Sequence, residues 1–400
     1  MMVALITTGC LSAAPAQPAD TATPAPLDDA PQGLNLYLLD APHPYTTRVS
    51  GGAEPTILAD PTGQYLWIGD TSGLYRSADD GTTWQRMPNP FLPGAFADGH
   101  AMALDDAGNL FTADTQGQVI GVARSSDGGS SWDWTSYVTE ADAIADRPWL
   151  AARGDGTVAL VQNSVGRQGE TCAMSTDGGV TWTSRSLVND ARPNAGNVIF
   201  EGNRLWLSDG ANVWRWASPC LNAPLPLPLP ASGAQIFTMV QLVAPNTPAV
   251  AQPAPGNGQM ELRIRDGTSW KSIVVSDPSL KANTFGTLSV HDGEVAVAWY
   301  GSEASGSVSN LNFPGVWNVY VARVTDWDTA SPTIRVDRLT AEPNFSGGFC
   351  MGGVTCGEGR ELLDYFGVDH DSDGNVHVAY GHLNSNGGSE VRYATLAASP

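Results

Sequence analysis

The feature that most limits what this chain can fold into is an eight-residue pattern that occurs three times. Ser77, Asp79, Gly81, Thr83 and Trp84 return as Ser125, Asp127, Gly129, Ser131 and Trp132, and again as Ser175, Asp177, Gly179, Thr181 and Trp182, with the tryptophans 48 and 50 residues apart. Repetition at such a period marks one supersecondary unit that cannot bury its own apolar face and is completed by its neighbours. The octad reads as a turn. Its Asp carboxylate accepts backbone N–H groups across a tight bend, Gly permits positive φ, the hydroxyls add local bonds, and the Trp opens the next strand with a large ring to bury. A fourth segment, Asp266 to Trp270, keeps this character but is one residue short. The octads are expected at the periphery of the fold, with Trp84, Trp132 and Trp182 buried.

A second punctuation runs ahead of the first. Ala59 to Gly63, Asp105 to Gly108, Arg153 to Gly156, Glu201 to Asn203, His291 to Gly293 and Asp371 to Gly374 each precede a run of branched or aromatic residues, such as Val158 to Val161 or Val295 to Trp299. That is strand, Gly-containing turn, strand. With the octad hairpin added, each unit of roughly 45 to 50 residues holds four antiparallel strands, the blade of a propeller. The units fall at 50–95, 96–142, 143–191, 192–232, 233–281, 282–341 and 360–398. The fold expected is therefore an all-β, seven-bladed β-propeller spanning 33–398, six blades being the alternative count. Residues 219–256 read as a Pro-rich insert, in which Leu225 to Pro230 alternates Leu and Pro as a polyproline stretch or edge strand. Residues 342–359 read as a Gly/Cys loop, and Leu34 to Leu39 as a strand that closes the ring with the last blade. Composition agrees: 44 Gly and 28 Pro in 400 residues favour short strands and turns over long helices, and a 42% hydrophobic fraction supplies a large core.

Charge narrows the partners. Twenty basic against 41 acidic residues give −21, and Lys271 and Lys281 are the only lysines, so a phosphate backbone is repelled and nucleic acid is excluded as a partner. No internal run reaches the roughly 18 apolar residues of a membrane span. Met1 to Ile6 is a short apolar run followed by Thr7, Thr8, Gly9 and Cys10, then by an Ala, Pro and Thr tract to Gln32. That order resembles the end of a lipoprotein signal, with Cys10 lipidated, residues 1–32 as leader and tether, and the protein extracellular or at the cell surface, touching a membrane only through its anchor. An ordinary signal and a flexible cytosolic tail are the alternatives. Cys172, Cys220, Cys350 and Cys356 then leave room for two disulfides, Cys350 with Cys356 closing a small loop, or for four unpaired thiols.

The octads resemble the Asp-box, or BNR repeat, of the sialidase-like propeller superfamily, with three copies covering about residues 50 to 190. The resemblance implies the propeller fold but no single function, because such propellers include glycosidases, glycan-binding proteins, receptor ectodomains and assembly factors. In the sialidases among them three arginines clamp the substrate carboxylate, a Tyr activated by a Glu is the nucleophile, and an Asp is acid and base. Planar guanidiniums match a carboxylate bidentately, and a Tyr with an ordinary pKa of about 10 needs a base. The early Phe/Tyr-Arg-Ile-Pro stretch that carries the first family arginine has no counterpart here, since Arg48 is followed by Val49, Ser50 and Gly51.

Two segments offer the corresponding chemistry. Asp146, Arg147, Pro148 and Trp149 open a strand, with Pro148 expected to hold Arg147 extended. Arg360, Glu361, Asp364 and Tyr365 fall within six positions ahead of another. The resemblance makes Tyr365 the nucleophile, Glu361 its base, Asp146 an acid or base, and Arg147, Arg360 and Asp364 the ligand-binding set. The plainer reading is salt bridges between blades. Asp369, Asp371 and Asp373 alternate before Gly374 like the opening of a calcium loop, although Tyr380 stands where the closing Glu belongs; the other reading is a decorated hairpin turn. The function expected is an extracellular or surface-tethered propeller that binds a glycan or a cell-surface protein through its central mouth. The alternative is a sialidase-like glycoside hydrolase with divergent catalytic residues.

Overall fold

The computed structural model describes residues 35–39, 47–91, 100–116, 119–139, 144–165, 170–187, 195–221, 223–352, 356–362, 364 and 366–398. They form a seven-bladed β-propeller whose blades are mostly four-stranded antiparallel sheets, the fold class expected. The first strands of the blades, Thr56–Ala59, Ala101–Leu104, Ile144–Ala152, Val198–Glu201, Val240–Ala244, Ala282–His291 and Gly367–His370, pack against one another in chain order around the axis. Each blade then runs outward strand by strand. Successive side chains on a strand point to opposite faces, so each blade feeds an apolar row into the gap on either side. Val158 and Leu160 pack toward blade two, while Ala159 and Val161 pack toward blade four.

The ring closes differently from the expectation. Thr47–Ser50, not Leu34 to Leu39, pairs antiparallel with Ser389–Leu396 and supplies the outer strand of blade seven. In every other blade the chain passes from an outer strand to the next inner strand, and the segment just ahead of Thr56 occupies that place. Five residues reach about 17 Å, enough to cross three strand spacings of about 4.8 Å. Asn35–Leu39 instead runs parallel to Thr333–Arg338 on the outer edge of blade six. The Pro-rich stretch is divided between two blades. Leu225–Pro228 is the outer strand of blade four, an edge where missing N–H groups are tolerated, and Val240–Ala244 and Thr247–Pro253 begin blade five.

The three octads share one geometry. In the first, Gly81 N donates to Ser77 Oγ (2.9 Å), Ser77 Oγ to Asp79 Oδ1 (2.8 Å), Thr83 N to Asp79 Oδ1 (2.8 Å) and Thr83 Oγ1 to Asp79 Oδ2 (2.6 Å). The set repeats around Asp127 and Asp177, where the hydroxyls of Ser131 and Thr181 and the backbone N–H groups beside them hold the carboxyls down at about 2. Each turn also docks on the preceding blade. A Cβ at Gly81, Gly129 or Gly179 would run into Tyr393, Met87 or Trp134 respectively, and all three glycines have φ of +80 to +89°. The carbonyl of Gly128 accepts from Trp67 Nε1 and Arg76 Nη1, both at 3.0 Å, and that of Gly179 accepts from Ser136 Oγ at 2.8 Å. Trp84, Trp132 and Trp182 are half-buried rather than buried, each packed against the neighbouring blade. The fourth segment is a plain two-residue turn, with Asp266 paired directly to Ser269.

Cys172 is bonded to Cys220, linking blades three and four, and Cys350 to Cys356. No helix among the described residues is long and apolar enough to cross a membrane.

Candidate functional site

Two of the segments singled out in the sequence meet, although 217 positions separate them. Arg147 lies at a bulge between Asp146 and Pro148, and its φ of +48° replaces the extended backbone expected before a proline. The bulge turns its side chain onto Glu54, which also has positive φ (+56°) and is completely buried. Non-glycine residues in this region each cost on the order of 1–3 kcal/mol and persist where surrounding contacts overdetermine them. Here the overdetermination is electrostatic. The Arg147 guanidinium is bidentate to the Glu54 carboxylate, donates to Asp364 Oδ2 at 3.1 Å, and lies 5.5 Å from the ring centre of Phe237. Arg360 donates to Asp364 through both Nη atoms (2.9 and 3.0 Å) and stands 3.9 Å from Glu54.

Local structure fixes each partner. Glu54 ends a loop pinned to the Asp70–Gly73 turn, where Ala53 N donates to Thr71 Oγ1 (2.9 Å) and Ser50 Oγ to Asp70. Burial pushes the Asp70 carboxyl up despite the bonds it accepts from Ser50, Ser72 and Gly73. Arg360 and Asp364 follow the Cys350–Cys356 loop, tied by Cys350 N to Gly359 O (2.9 Å) and anchored by Leu362 and Phe366, each 1% exposed. Phe366 packs 4.7 Å from Tyr300. Glu361 has one carboxylate oxygen, Oε2, buried without a hydrogen bond, and Asp146 is half-buried. Tyr365 and Cys10 lie outside the described residues. Arg48 is 65% exposed on the closing strand, bonded to Glu390, and takes no part. Glu54 was not read from the sequence. It sits in no motif, and only the ring closure brings it to Arg147.

Beneath this network runs a lumen of about 530 Å³, lined by the inner strands from Thr56, Ala101 and Phe366 down to Asp106, Arg153 and Gly202. None of Glu54, Arg147, Arg360 or Asp364 lines it. Its wall is mostly uncharged: Trp149, Met239, Phe200, Ile199, Gln241 and Thr287 contribute, and among the described residues Asp106, Arg153 and Asp369 are its only ionisable groups.

Of the three acidic residues considered for calcium, Asp369 and Asp371 take separate tasks, and Asp373 is exposed in the turn, its backbone N–H donating to Asp371 Oδ1 (3.0 Å). Asp369 accepts from Ala59 N (2.9 Å), His370 N (2.9 Å) and Ser289 Oγ (3.2 Å), and burial pushes its carboxyl up. Asp371 caps a hairpin turn, accepting from Asn375 N (2.8 Å) and Asn375 Nδ2 (2.7 Å), as Asp105 does from Asn109. Among the described residues no group of three His, Cys, Asp or Glu side chains is placed to hold a metal. A chain from Asp371 through His377 to the Tyr393 hydroxyl (3.1 and 2.7 Å) has the look of a relay, but the cavity beside Asp371 is about 10 Å³, room for no more than a water.

No protein-family model matches the chain, and no curated protein matches it. Among solved structures it superposes on the GH74 enzyme of Niastella koreensis with a TM-score of 0.54 and 18% identity over 83% of this chain. That alignment spans about half of the enzyme, 51% of its length. It also superposes on YCF48 bound to D1 peptide, with a TM-score of 0.54 and 15% identity over 91% of this chain and 99% of that one. At these identities the likeness is one of fold.

Proposed function

We propose that this is an extracellular or surface-tethered propeller that binds a glycan or a segment of a surface protein in the lumen of its ring and performs no chemistry there. The observation that carries this reading is the saturation of the central ions. Two guanidiniums and two carboxylates neutralise one another, Arg147 at 5% exposure, and the open space below them is lined mostly by uncharged side chains, the rings of Trp149, Phe200 and Phe366 among them. Recognition of a sugar carboxylate needs a guanidinium with free donors; a lumen of this composition suits an uncharged ligand with one apolar face. One of the two structures above is a GH74 enzyme and the other is bound to a peptide, so propellers of this architecture are compatible with more than one ligand class. The test is calorimetry against neutral oligosaccharides, sialosides and uncharged peptides, with hydrolysis followed in parallel. Gln241→Trp, which fills the lumen, should abolish binding, Gln241→Ala should weaken it, and Arg360→Ala should leave it within about twofold. Binding that survives Gln241→Trp overturns the proposal.

A hydrolase remains the second reading, favoured at one position only: the buried Oε2 of Glu361, which accepts no hydrogen bond and belongs to a residue between Arg360 and Asp364 in the chain. In that case Tyr365→Phe and Glu361→Gln should each remove turnover of a sialoside while binding persists.

A further inference from the structure

The lumen is walled by strand edges, and the hairpin turns set which main-chain groups face it. On blade two Asp105 N donates to Asn109 O (3.1 Å), and on blade three Arg153 N donates to Thr157 O (2.9 Å). An antiparallel ladder alternates hydrogen-bonded and non-bonded pairs. Counting back in twos therefore assigns Ala101 and Ala103, and Trp149 and Ala151, the bonds to the second strand of their blade. Met102, Leu104, Leu150 and Ala152 fall between them and turn N–H and C=O the other way, into the lumen that all four line. The two-residue turn between Glu201 and Arg204 does the same for Val198 and Phe200 on blade four.

Elsewhere side chains close this inner edge. Asp369 accepts from Ala59 N and His370 N (both 2.9 Å), and Asn197 accepts from Val240 N (2.7 Å) and donates to Val240 O (3.0 Å). On blades two, three and four none of the six residues has its main-chain N–H or C=O in a hydrogen bond with a described residue. Met102, Leu104, Ala152 and Phe200 are only half-buried, so the edge is open to the cavity. Blade three offers the longest of these strands, nine residues against four on either side.

We propose that the ligand of the lumen is an extended, uncharged peptide segment that pairs main chain to main chain with Leu150 and Ala152, adding a strand to the inner edge of blade three. This rests on the reading of the lumen as the binding site. A segment of about four residues, at about 3.3 Å each, covers Trp149 to Ala152. Leu150 and Ala152 each present a donor and an acceptor, and another extended chain carries its own at the same two-residue repeat; the hydroxyls of a neutral sugar lack this match. The side chains beside the edge are small: Ala101, Ala103, Ala151 and Ala152 let a further backbone approach to strand spacing, about 4.8 Å. Arg153, at the end of the strand, is already engaged by Gly202 O (2.6 Å), Asn203 Oδ1 (2.7 Å) and Asp155 Oδ2 (2.7 Å), which leaves the edge itself without a charge to match.

The experiment selects the tightest binder from a pooled library of acetyl-tetrapeptide amides built from Ala, Ser, Thr, Val and Gln. Calorimetry of the full chain then compares that peptide, its versions N-methylated at each amide in turn, and cellotetraose and maltotetraose. Methylation at alternate positions should each weaken binding about five- to tenfold, the loss of one main-chain hydrogen bond, and at the intervening positions less than about twofold. Ala152→Pro removes a lumen-facing N–H and no ladder bond, and should weaken the peptide at least tenfold, whereas Ala152→Val, which keeps the N–H, should stay within about threefold. Should Ala152→Pro fail to fold, the methylation series decides. Period-two losses together with binding abolished by Gln241→Trp support the proposal. A saccharide that binds, and is lost in Gln241→Trp, while no peptide binds overturns it and leaves the lumen reading standing, as does peptide binding indifferent to the methylated position. Peptide binding that survives Gln241→Trp, or failure of every probe, removes the lumen reading and this inference with it.

Discussion

At the scale of single residues, the octads were legible because their chemistry is local: Asp, hydroxyl and Gly meet within seven positions, and no distant partner is needed to read them. The docking of each octad on the preceding blade was not legible, because Tyr393, Met87 and Trp134 stand at no fixed spacing from the glycines they cover. The first copy differs from the others in having Asp80, at φ +54°, where they have Gly128 and Gly178. Replacing Asp80 with Gly should therefore raise stability by about 0.5–1 kcal/mol through relieved backbone strain, whereas Gly129→Ala should lower it by more than about 1 kcal/mol. Urea denaturation of both variants checks the opposite signs. Trp132, half-buried and bonded to Pro88 O at 2.8 Å, should cost about 2 kcal/mol on replacement by Ala, below the about 3–5 of a fully packed ring. A further residue-scale expectation concerns His100, which burial, aided by Arg86, pushes down to about 3. It folds neutral, so the unfolded chain binds one more proton between pH 6.5 and about 3. Its contribution is complete above pH 6.5 and is lost as pH falls through that window, by ~10-fold in the folding equilibrium per pH unit. In His100→Gln the acid slope of stability should flatten by one proton; an unchanged slope would show that His100 is protonated in the fold.

At the scale of elements, the alternation of apolar runs and Gly turns foretold seven blades, since strand and hairpin signals are short-range. What the periodicity did not carry was which segment closes the ring. Thr47–Ser50 holds one buried residue, and its pattern is weaker than the apolar run of Leu34 to Leu39; its place follows from chain connectivity into Thr56, a property of the whole ring. Removing residues 1–46 should therefore leave a cooperatively melting propeller that has lost the added strand on blade six. Removing 1–50 exposes the edge Ser389–Leu396 and strips the loop that holds Glu54, and should abolish the single transition. Equal melting of the two truncations would place the closure elsewhere. The bulge at Arg147 is another such case. A proline signals extended backbone one residue earlier, and only a buried carboxylate from another blade explains why the chain departs from it.

At the scale of the molecule, Glu54, Arg147, Arg360 and Asp364 tie blades one and three to the loop before blade seven across the end of the lumen. The sequence brought three of these four residues forward for ligand binding; the structure shows them satisfied by one another. A satisfied buried network and a ligand clamp respond differently to mutation. Removing one partner of a buried pair strands a charge and costs about 3–5 kcal/mol, while replacing both by apolar residues of similar size is often close to neutral. Glu54→Leu or Arg147→Met alone should thus lower the urea midpoint strongly. The double variant should recover much of the loss, short of full recovery because Asp364 and Arg360 still face each other beside the new apolar pair. A double-mutant cycle measures this coupling. Because the lumen wall contains none of these four side chains, the double variant should also keep its affinity for any neutral ligand of the lumen, measured well below its melting temperature. Strictly additive single losses would break the account of a mutually satisfied network. Loss of ligand affinity in a double variant that remains folded would instead return Arg147 to the binding site, and with it the reading of this cluster as the place where the ligand is held.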